Sequence, residues 1–414
     1  MNMKRKEILT VNELETKQTE LTDEQKAAVE YIRANAWKGL VALAGPAGSG
    51  KTTVIKSLVD VLRQPVLASA MTNKAACVLR KKGIDAVTFH QACMAPIFKP
   101  PLHDIARFLN EADEKKVKYP EELKAEYSEE ELFKALLATR RTGINSGMRA
   151  LGITNIFSYI SGWIAAGKKE GTLIVDEASM LGDRELEIAQ EVFDCVILIG
   201  DTHQLPPVKS SPVFWEVENR IELTKIHRQA EGSQPLQIAT KIRMGQMVPM
   251  SPRKNIDYEL CKAGMPVICW KNVTRTRLTN EIRKALGYEG LPPQEGEYLI
   301  CRNTQDKDAK LRGLFNNSIW RVVNSIDWVC TLESDDGEIL NGEHVFDEDA
   351  QVGDGVPYRF AYCLTAHSSQ GSEWESIQIH APDASAVLNF KKDEGAKWLY
   401  TAVTRAKGEL RWVI

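Results

Sequence analysis

Gly45-Pro46-Ala47-Gly48-Ser49-Gly50-Lys51-Thr52 decides the fold because of what stands on either side of it. Before it, Leu40-Val41-Ala42-Leu43-Ala44 is an unbroken apolar run of strand length; after it, Val54, Ile55, Leu58, Val59 and Leu62 recur at helical spacing. A glycine-rich turn between a buried strand and a helix N-terminus aims several backbone N–H groups at one place, which suits phosphate oxygens. Lys51 is placed to reach the β and γ oxygens of a nucleotide and Thr52 to hold Mg²⁺, with Thr53 in the same helical turn. The stretch from Gly45 to Thr53 therefore reads as an ATP-binding loop.

Outward from the loop, apolar β-rich runs alternate with helix-period segments, the pattern of a parallel sheet covered by helices. Strands are expected at Pro65–Ala70, Leu173–Val175 and Val192–Ile199, so the sheet is built from pieces far apart in the chain. The segment between them, 95–170, opens on Lys99-Pro100-Pro101 and is dense in charge from Glu111 to Glu131. Within it Ser128-Glu129-Glu130-Glu131 has capping-box spacing ahead of Leu132, Phe133, Leu136 and Leu137, which predicts an amphipathic helix. After Gln229 come a Pro- and Met-containing stretch, a strand at Val267–Trp270 and a helix over Thr274–Leu286. Residues 297–364 show short strands with turn signals at Asn316-Asn317 and Asp335-Asp336-Gly337, a small all-β insertion. Strand Ile377–His380, a helix around Lys397–Arg405 and strand Leu410–Ile414 restore the alternation. The expected architecture is two α/β domains, 21–94 with 171–228 and 229–302 with 359–414, carrying insertions at 95–170 and 303–358.

Fifty-three Lys and Arg against 56 Asp and Glu give a net charge of −3, which argues against the basic coat of a non-specific nucleic-acid packager but permits a local basic groove. No apolar run reaches the ~18 residues of a membrane span. Residues 1–20 read as a mobile polar leader without a secretory signal, in a cytoplasmic protein. The 8 Cys never form a Cys-x-x-Cys pair, so neither zinc nor a disulfide framework is suggested.

Leu173-Ile174-Val175-Asp176-Glu177 is an apolar strand ending in two carboxylates, where Asp176 would assist Mg²⁺ and Glu177 would polarise the attacking water. The following strand ends at Gly200-Asp201-Thr202-His203-Gln204-Leu205-Pro206-Pro207, which puts Gln204 where it can sense the γ-phosphate and position water. Gln25 has two readings, a capping box with Thr22 or recognition of the adenine edge. Arg228 and Arg405 are candidates for the arginine-finger role, although each in isolation is a helix-end charge. Thr365-Ala366-His367-Ser368-Ser369-Gln370-Gly371-Ser372-Glu373 suits phosphate contacts, with a plain Ser-rich loop as the competing reading.

In this order the strings resemble a superfamily 1 helicase of the RecD-like and Dda-like branch, superfamily 1B, over residues 21–407. Gln25 matches the Q-motif, Gly45–Thr52 motif I, Ala70-Met71-Thr72-Asn73 motif Ia and Thr88-Phe89-His90 the Thr-x-His element. Asp176-Glu177-Ala178-Ser179 matches motif II, Gly200–Pro207 motif III, Arg228-Gln229 motif IV, Thr365–Glu373 motif V and Tyr400–Arg405 motif VI. The resemblance implies two RecA-like domains with flanking helices, an SH3-like barrel as the second insertion, and ATP with Mg²⁺ as cofactors. Arg228 and Arg405 become γ-phosphate contacts, Gln370, Gly371 and Glu373 join the nucleotide site, and Glu373 faces the ribose. Single-stranded DNA would cross both domains over Thr72, Asn73, Phe89, His90, Thr365, His367 and Ser368, with 5′-to-3′ translocation. Single-strand/duplex junctions, single-stranded-DNA-binding proteins and replication or recombination proteins are the implied partners of a monomer in a bacterial or phage-infected cell.

Met71 stands where the family commonly has Pro, Ser368 where Lys is common, and the first insertion is longer than in compact relatives. Phe98, Phe157, Tyr159 and Trp163 are candidates for a strand-splitting wedge, with core packing the competing reading. Arg140, Arg141, Arg149, Lys168 and Lys169 suit either duplex phosphates or a solvated face. The functional alternatives are an RNA helicase, a translocase that does not unwind, and a one-core P-loop switch or loader.

Overall fold

The computed structural model describes residues 21–414 apart from 63, 99–101, 143, 154–159, 208–209, 227–232, 303–313, 315–316, 335–336, 354 and 391. In chain order the first half carries β1 (Leu40–Ala44), β2 (Val66–Ala70), β3 (Ala86–Thr88), β4 (Met94–Phe98), β5 (Ile160–Ala165), β6 (Lys169–Asp176), β7 (Phe193–Gly200) and β8 (Arg220–Glu222). Six of these form one parallel sheet in the order β3-β2-β6-β7-β1-β8. Successive residues of a strand face opposite ways, so Val41, Leu43, Ile174 and Ile197 pack beneath the helices Asp23–Asn35 and Lys51–Val61. Ala42, Ala44, Leu173, Val175 and Leu198 join Phe89 and the helix Asp183–Val192 on the other face. Burial on both faces explains why these strands read as unbroken apolar runs.

The first insertion leaves the sheet through the antiparallel pair β4–β5 and packs its own core from Phe98, Leu102, Ile105, Leu109, Leu132 and Met148. The expected capping box is made: Ser128 N–H donates to Glu131 Oε2 at 2.9 Å, and Glu131 N–H to Ser128 Oγ at 3.3 Å. It starts the helix Glu129–Thr142.

The second half contributes β9 (Arg253–Lys254), β10 (Val267–Cys269), β11 (Tyr298–Cys301), β12 (Ile319–Ile326), β13 (Val329–Ser334), β14 (Ile339–Asp347), β15 (Val352–Gly353), β16 (Val356–Phe360), β17 (Cys363–Thr365), β18 (Trp374–His380) and β19 (Ala406–Val413). A second parallel sheet runs β17-β10-β18-β19-β9, while β11, β12, β13, β14 and β16 form a barrel closed by the β13–β14 pairing. The barrel takes in β11 and the end of β16, beyond the 303–358 expected from sequence, because both strands hydrogen-bond within it. No compositional step marks that border, since one core runs from Val267, Leu278 and Ile282 of the parallel domain into Leu299, Trp320 and Tyr358 of the barrel.

The stretch after residue 229 also holds a helix that the sequence reading passed over, Gln234–Arg243. Ser233 stands at its N-cap position, Pro235 in its first turn, and Leu236, Ala239 and Ile242 on its buried side. Gly245 N–H to Ile242 O at 3.0 Å and Gln246 N–H to Lys241 O at 2.9 Å close its C-terminus, leaving Arg243 in the last turn.

Candidate active site

The first domain's phosphate loop and both of its acidic motifs sit at C-terminal ends of parallel strands, where an open α/β sheet binds its ligands. The phosphate loop follows β1, Asp176 ends β6, and Asp201 follows β7. Gly50 caps the helix Lys51–Val61 at φ +83°, and a Cβ there would stand 2.2 Å from Gln25 Nε2. The positive φ favours glycine, and any side chain there would also displace the Gln25 amide. The capping reading of Gln25 is present in full: Thr22 N–H donates to Gln25 Oε1 at 3.0 Å, and Gln25 N–H to Thr22 Oγ1 at 3.3 Å. Its Nε2 donates to Ser49 O at 3.2 Å, so the same side chain ties the first helix to the phosphate loop. Lys51 Nζ donates to Gly45 O at 2.7 Å and Pro46 O at 3.0 Å, which holds the ammonium over the loop.

Glu177 adopts φ 56°, a left-handed conformation in a non-glycine residue that turns its carboxylate back beside Asp176. Burial pushes Glu177 up to about 7, with the charge of Asp176 adding to it and Arg405 and Lys51 opposing. Burial also raises Asp176, against Lys51 and the N–H of Glu177. A carboxyl titrating near neutrality suits a group that takes a proton from water. Asp201 behaves differently: burial raises it, but hydrogen bonds from His203 and Tyr400 and the Lys51 charge outweigh that and hold it low.

The second sheet closes the site. One cleft of about 800 Å³ is lined by Lys51, Thr52, Asp176, Glu177 and Gln204 from the first domain and by Gly371, Glu373 and Arg405 from the second. Arg405, 3% exposed, is fixed by three hydrogen bonds: Nε to Thr401 O at 3.0 Å, Nη1 to Ser372 O at 3.1 Å and Nη2 to Thr404 Oγ1 at 3.2 Å. Its charge reaches Glu177 without an ion pair to consume it. Glu373 lies 3.9 Å from Lys407 at the cleft wall. A Cβ on Gly371 would come 2.6 Å from Thr72 Oγ1, so motifs V and Ia touch across the domains.

Four further hydrogen bonds across the cleft belong to residues whose roles the sequence reading did not separate from their motifs. Leu205, 4% exposed, packs in the core of the second domain with Ala366, Leu399 and Tyr400. Its N–H donates to Thr401 Oγ1 at 3.0 Å and its carbonyl accepts from Gln370 Nε2 at 3.3 Å. Tyr400 Oη donates to Asp201 Oδ2 at 2.6 Å and accepts from the phosphate-loop N–H of Ala47 at 3.1 Å. Their motifs mark the positions but not these roles, because each partner lies more than 150 residues away in the chain.

Other expected positions fall less evenly. Arg228, Phe157 and Tyr159 lie outside the described residues, as does the side chain of Asn73. Phe89 is a correction: at 5% exposure it packs against Leu173 and Val175 and leaves no ring face for a base. Thr72 and Thr88 cap helices, accepting from Ala75 and Gln91 N–H, and Thr365 Oγ1 pairs with Ser368 Oγ at 3.0 Å. His367 is exposed beside them. His90 meets Trp163 edge-on at 4.2 Å, which joins the Thr-x-His element to the first insertion and makes Trp163 a packing residue. Phe98 is core. Arg140 caps the helix Leu102–Glu111 through Asn110 O and Ala112 O, Lys169 donates to Ala92 O, and Lys168 pairs with Asp194. These three are spent on the fold, while Arg141 and Arg149 are exposed.

Two parallel sheets meeting over a phosphate loop define a two-core P-loop ATPase. The family model described as an AAA domain matches residues 20–254, more than half of the 414, and that of a UvrD-like helicase C-terminal domain matches 360–413. The chain belongs to this AAA-domain family and, with both cores accounted for, to the superfamily 1B helicases. Solved structures agree in fold. A structure of forked double-stranded DNA unwinding by two coordinating Pif1 helicases superposes with a TM-score of 0.54 at 19% identity, over 95% of this chain and 92% of that one. Bacteroides Pif1 bound to single-stranded DNA gives 0.52 at 19%, with the same coverages of 95% and 92%. Pif1 from Candida albicans gives 0.50 at 18%, over 95% and 94%. No curated protein matches the chain. Among the described residues no helix is long and apolar enough to cross a membrane.

Proposed function

We propose that this protein is an ATP-dependent DNA helicase that moves 5′ to 3′ on single-stranded DNA and unwinds duplex ahead of it. The observation that carries the proposal is the assembly of Lys51, Glu177 and Gln204 from one sheet with Arg405 from the other around a single cleft. A site divided between two domains changes when the domains move, which is what coupling of hydrolysis to stepping requires. A one-core switch has no use for Arg405 so placed. Support for DNA comes from the Pif1 structures, described as bound to single-stranded DNA and as unwinding forked DNA.

In this reading the phosphate loop binds ATP through its N–H groups and Lys51, while Arg405 and Arg228 contact the γ-phosphate and Glu373 the ribose. The chemistry of the donors fits Mg²⁺, since Thr52 and the buried Asp176 line the same cleft and the raised Asp176–Glu177 pair is eased by a cation. Bound there, Mg²⁺ supplies charge neutralisation to the phosphates. Gln204 holds the attacking water, and Glu177 polarises it and takes its proton. DNA passes over Thr72 and Asn73 of motif Ia, His90 of the Thr-x-His element and Thr365, His367 and Ser368 of motif V, and Phe89 supports that surface from beneath. The domain division follows the two sheets, with 95–170 as the duplex-facing insertion. A monomer contains the whole proposed machine, and partners of replication or recombination would act on it from outside.

The test is ATP turnover with DNA and RNA oligomers of one sequence, in the native protein and in Arg405→Ala. Turnover stimulated by DNA, and reduced at least about a hundredfold in the variant, is expected. A slow ATPase indifferent to both DNA and Arg405 would mean a switch or loader instead.

A further inference from the structure

A second cavity, of about 330 Å³, is linked to the nucleotide cleft through Tyr400, which touches His203 of the cavity and Ala47 of the cleft. His203, Thr224 and Ile226 of the first domain and Thr240, Arg243 and Met244 of the second line it. The cavity thus spans the same moving interface as the nucleotide cleft. Met244, 67% exposed, marks the side on which it opens to solvent.

Arg243 gives the cavity its chemistry. Among the described residues its guanidinium has no hydrogen-bond or ion-pair partner, and its Nε is buried without one. The residue as a whole is half-buried, so its guanidinium keeps donors free for an anion that enters the cavity. The neighbouring carboxylates are already occupied: Asp201 accepts from Tyr400 Oη at 2.6 Å and from His203 N–H at 3.0 Å. Glu24 accepts from Thr224 Oγ1 at 2.7 Å and Lys225 N–H at 3.2 Å. Neither lines the cavity. Thr240 and the His203 ring add polar groups suited to oxygen atoms, and a guanidinium binds phosphate oxygens in pairs.

Tyr400 stands between a lining residue of each space. Its hydroxyl bridges Ala47 N–H of the phosphate loop to Asp201, its ring lies 5.7 Å from that of His203, and it feels the charge of Arg243. We propose that this cavity is an inorganic-phosphate site on the exit path from the phosphate loop, with Arg243 as its anion ligand and Tyr400 as the gate. ADP leaves by the wider cleft, and phosphate by the back. The proposal rests on the ATPase reading, because the phosphate it receives is the one hydrolysis produces.

Single-turnover experiments test it, with the hydrolysis step read by chemical quench and free phosphate by a fluorescent phosphate-binding sensor. In Arg243→Met the hydrolysis step is expected to keep its rate while phosphate release slows at least about tenfold, and Arg243→Lys to recover most of the loss. With the phosphate loop filled by ADP–aluminium fluoride, calorimetric titration with inorganic phosphate should show binding to the native protein and at least about tenfold weaker binding to Arg243→Met. Release that keeps pace with hydrolysis in Arg243→Met, or phosphate binding unchanged by it, overturns the exit site. A hydrolysis step that itself falls in Arg243→Met also overturns it, since Arg243 would then act at the γ-phosphate. An absence of hydrolysis in the native protein is a separate result, and it refutes the ATPase reading on which the site depends.

Discussion

The nucleotide cleft and the loops proposed to face DNA stand on the same two sheets but spend their side chains differently. In the cleft, Lys51 and Arg405 are held by backbone carbonyls, and among the described residues neither they nor Glu177 make an ion pair, so their charges remain available. On the other face, Thr72 and Thr88 are caps, Phe89 is core and His90 leans on Trp163. Reaction chemistry demands free charge at fixed points, whereas a surface that tracks a sugar-phosphate backbone can use groups that also hold the fold. Damage to the first region should therefore act on rate, and damage to the second on the response to DNA.

The largest separation is expected from Lys51→Ala, because an ammonium on the transferring phosphate is worth several kcal/mol. Turnover should fall below about one hundredth with the fold intact by circular dichroism; near-normal ATPase would break the comparison on its cleft side. Next comes Leu205→Ala, which empties a socket shared by both domains and should cost about 2–3 kcal/mol of stability. Its ATPase should lose DNA stimulation more than basal rate, whereas equal losses in both would show that Leu205 is only filler.

Glu177 sharpens the account of the cleft through pH. Its folded carboxyl holds the proton to about 7 against an ordinary 4.5, so the folded state is favoured below 4.5 and loses that advantage as pH rises through 7. Glu177→Gln removes the loss and should stabilise the nucleotide-free protein by about 1–2 kcal/mol near pH 8, after allowance for water in the cleft, with little effect near pH 5. Melting temperatures at the two pH values decide it, and equal shifts at both would contradict the buried-pair explanation. The smallest change is His90→Ala, which removes one edge-on ring contact of about 1 kcal/mol. It should weaken DNA-stimulated activity and spare basal hydrolysis; parallel loss of the two would indicate a folding role.

What the sequence discloses follows the same division. The phosphate loop, the two acids after β6 and the turn after β7 are legible because strand, turn and helix each leave a local signature. Leu205, Tyr400 and Thr401 lie in legible motifs and Arg243 in none, but the role of all four depends on contacts between domains, and only folding supplies the partner. The barrel border is hidden for a related reason, because one continuous core joins β11 and β16 to the parallel domain and no break in composition separates them. The helix Gln234–Arg243 did carry a signal, Ser233 with Pro235 ahead of Leu236, Ala239 and Ile242. In the first insertion the capping box locates a helix, but burial of Phe98 and the contact between Trp163 and His90 cannot be told from a wedge by residue type alone.

The most direct test of the helicase reading is strand separation with ATP and Mg²⁺ on duplexes that carry either a 5′ or a 3′ single-stranded DNA tail. Unwinding of the 5′-tailed duplex alone is expected. Unwinding of the 3′-tailed duplex alone would contradict the assigned polarity while leaving the ATP site standing, and unwinding of neither would contradict the helicase activity itself.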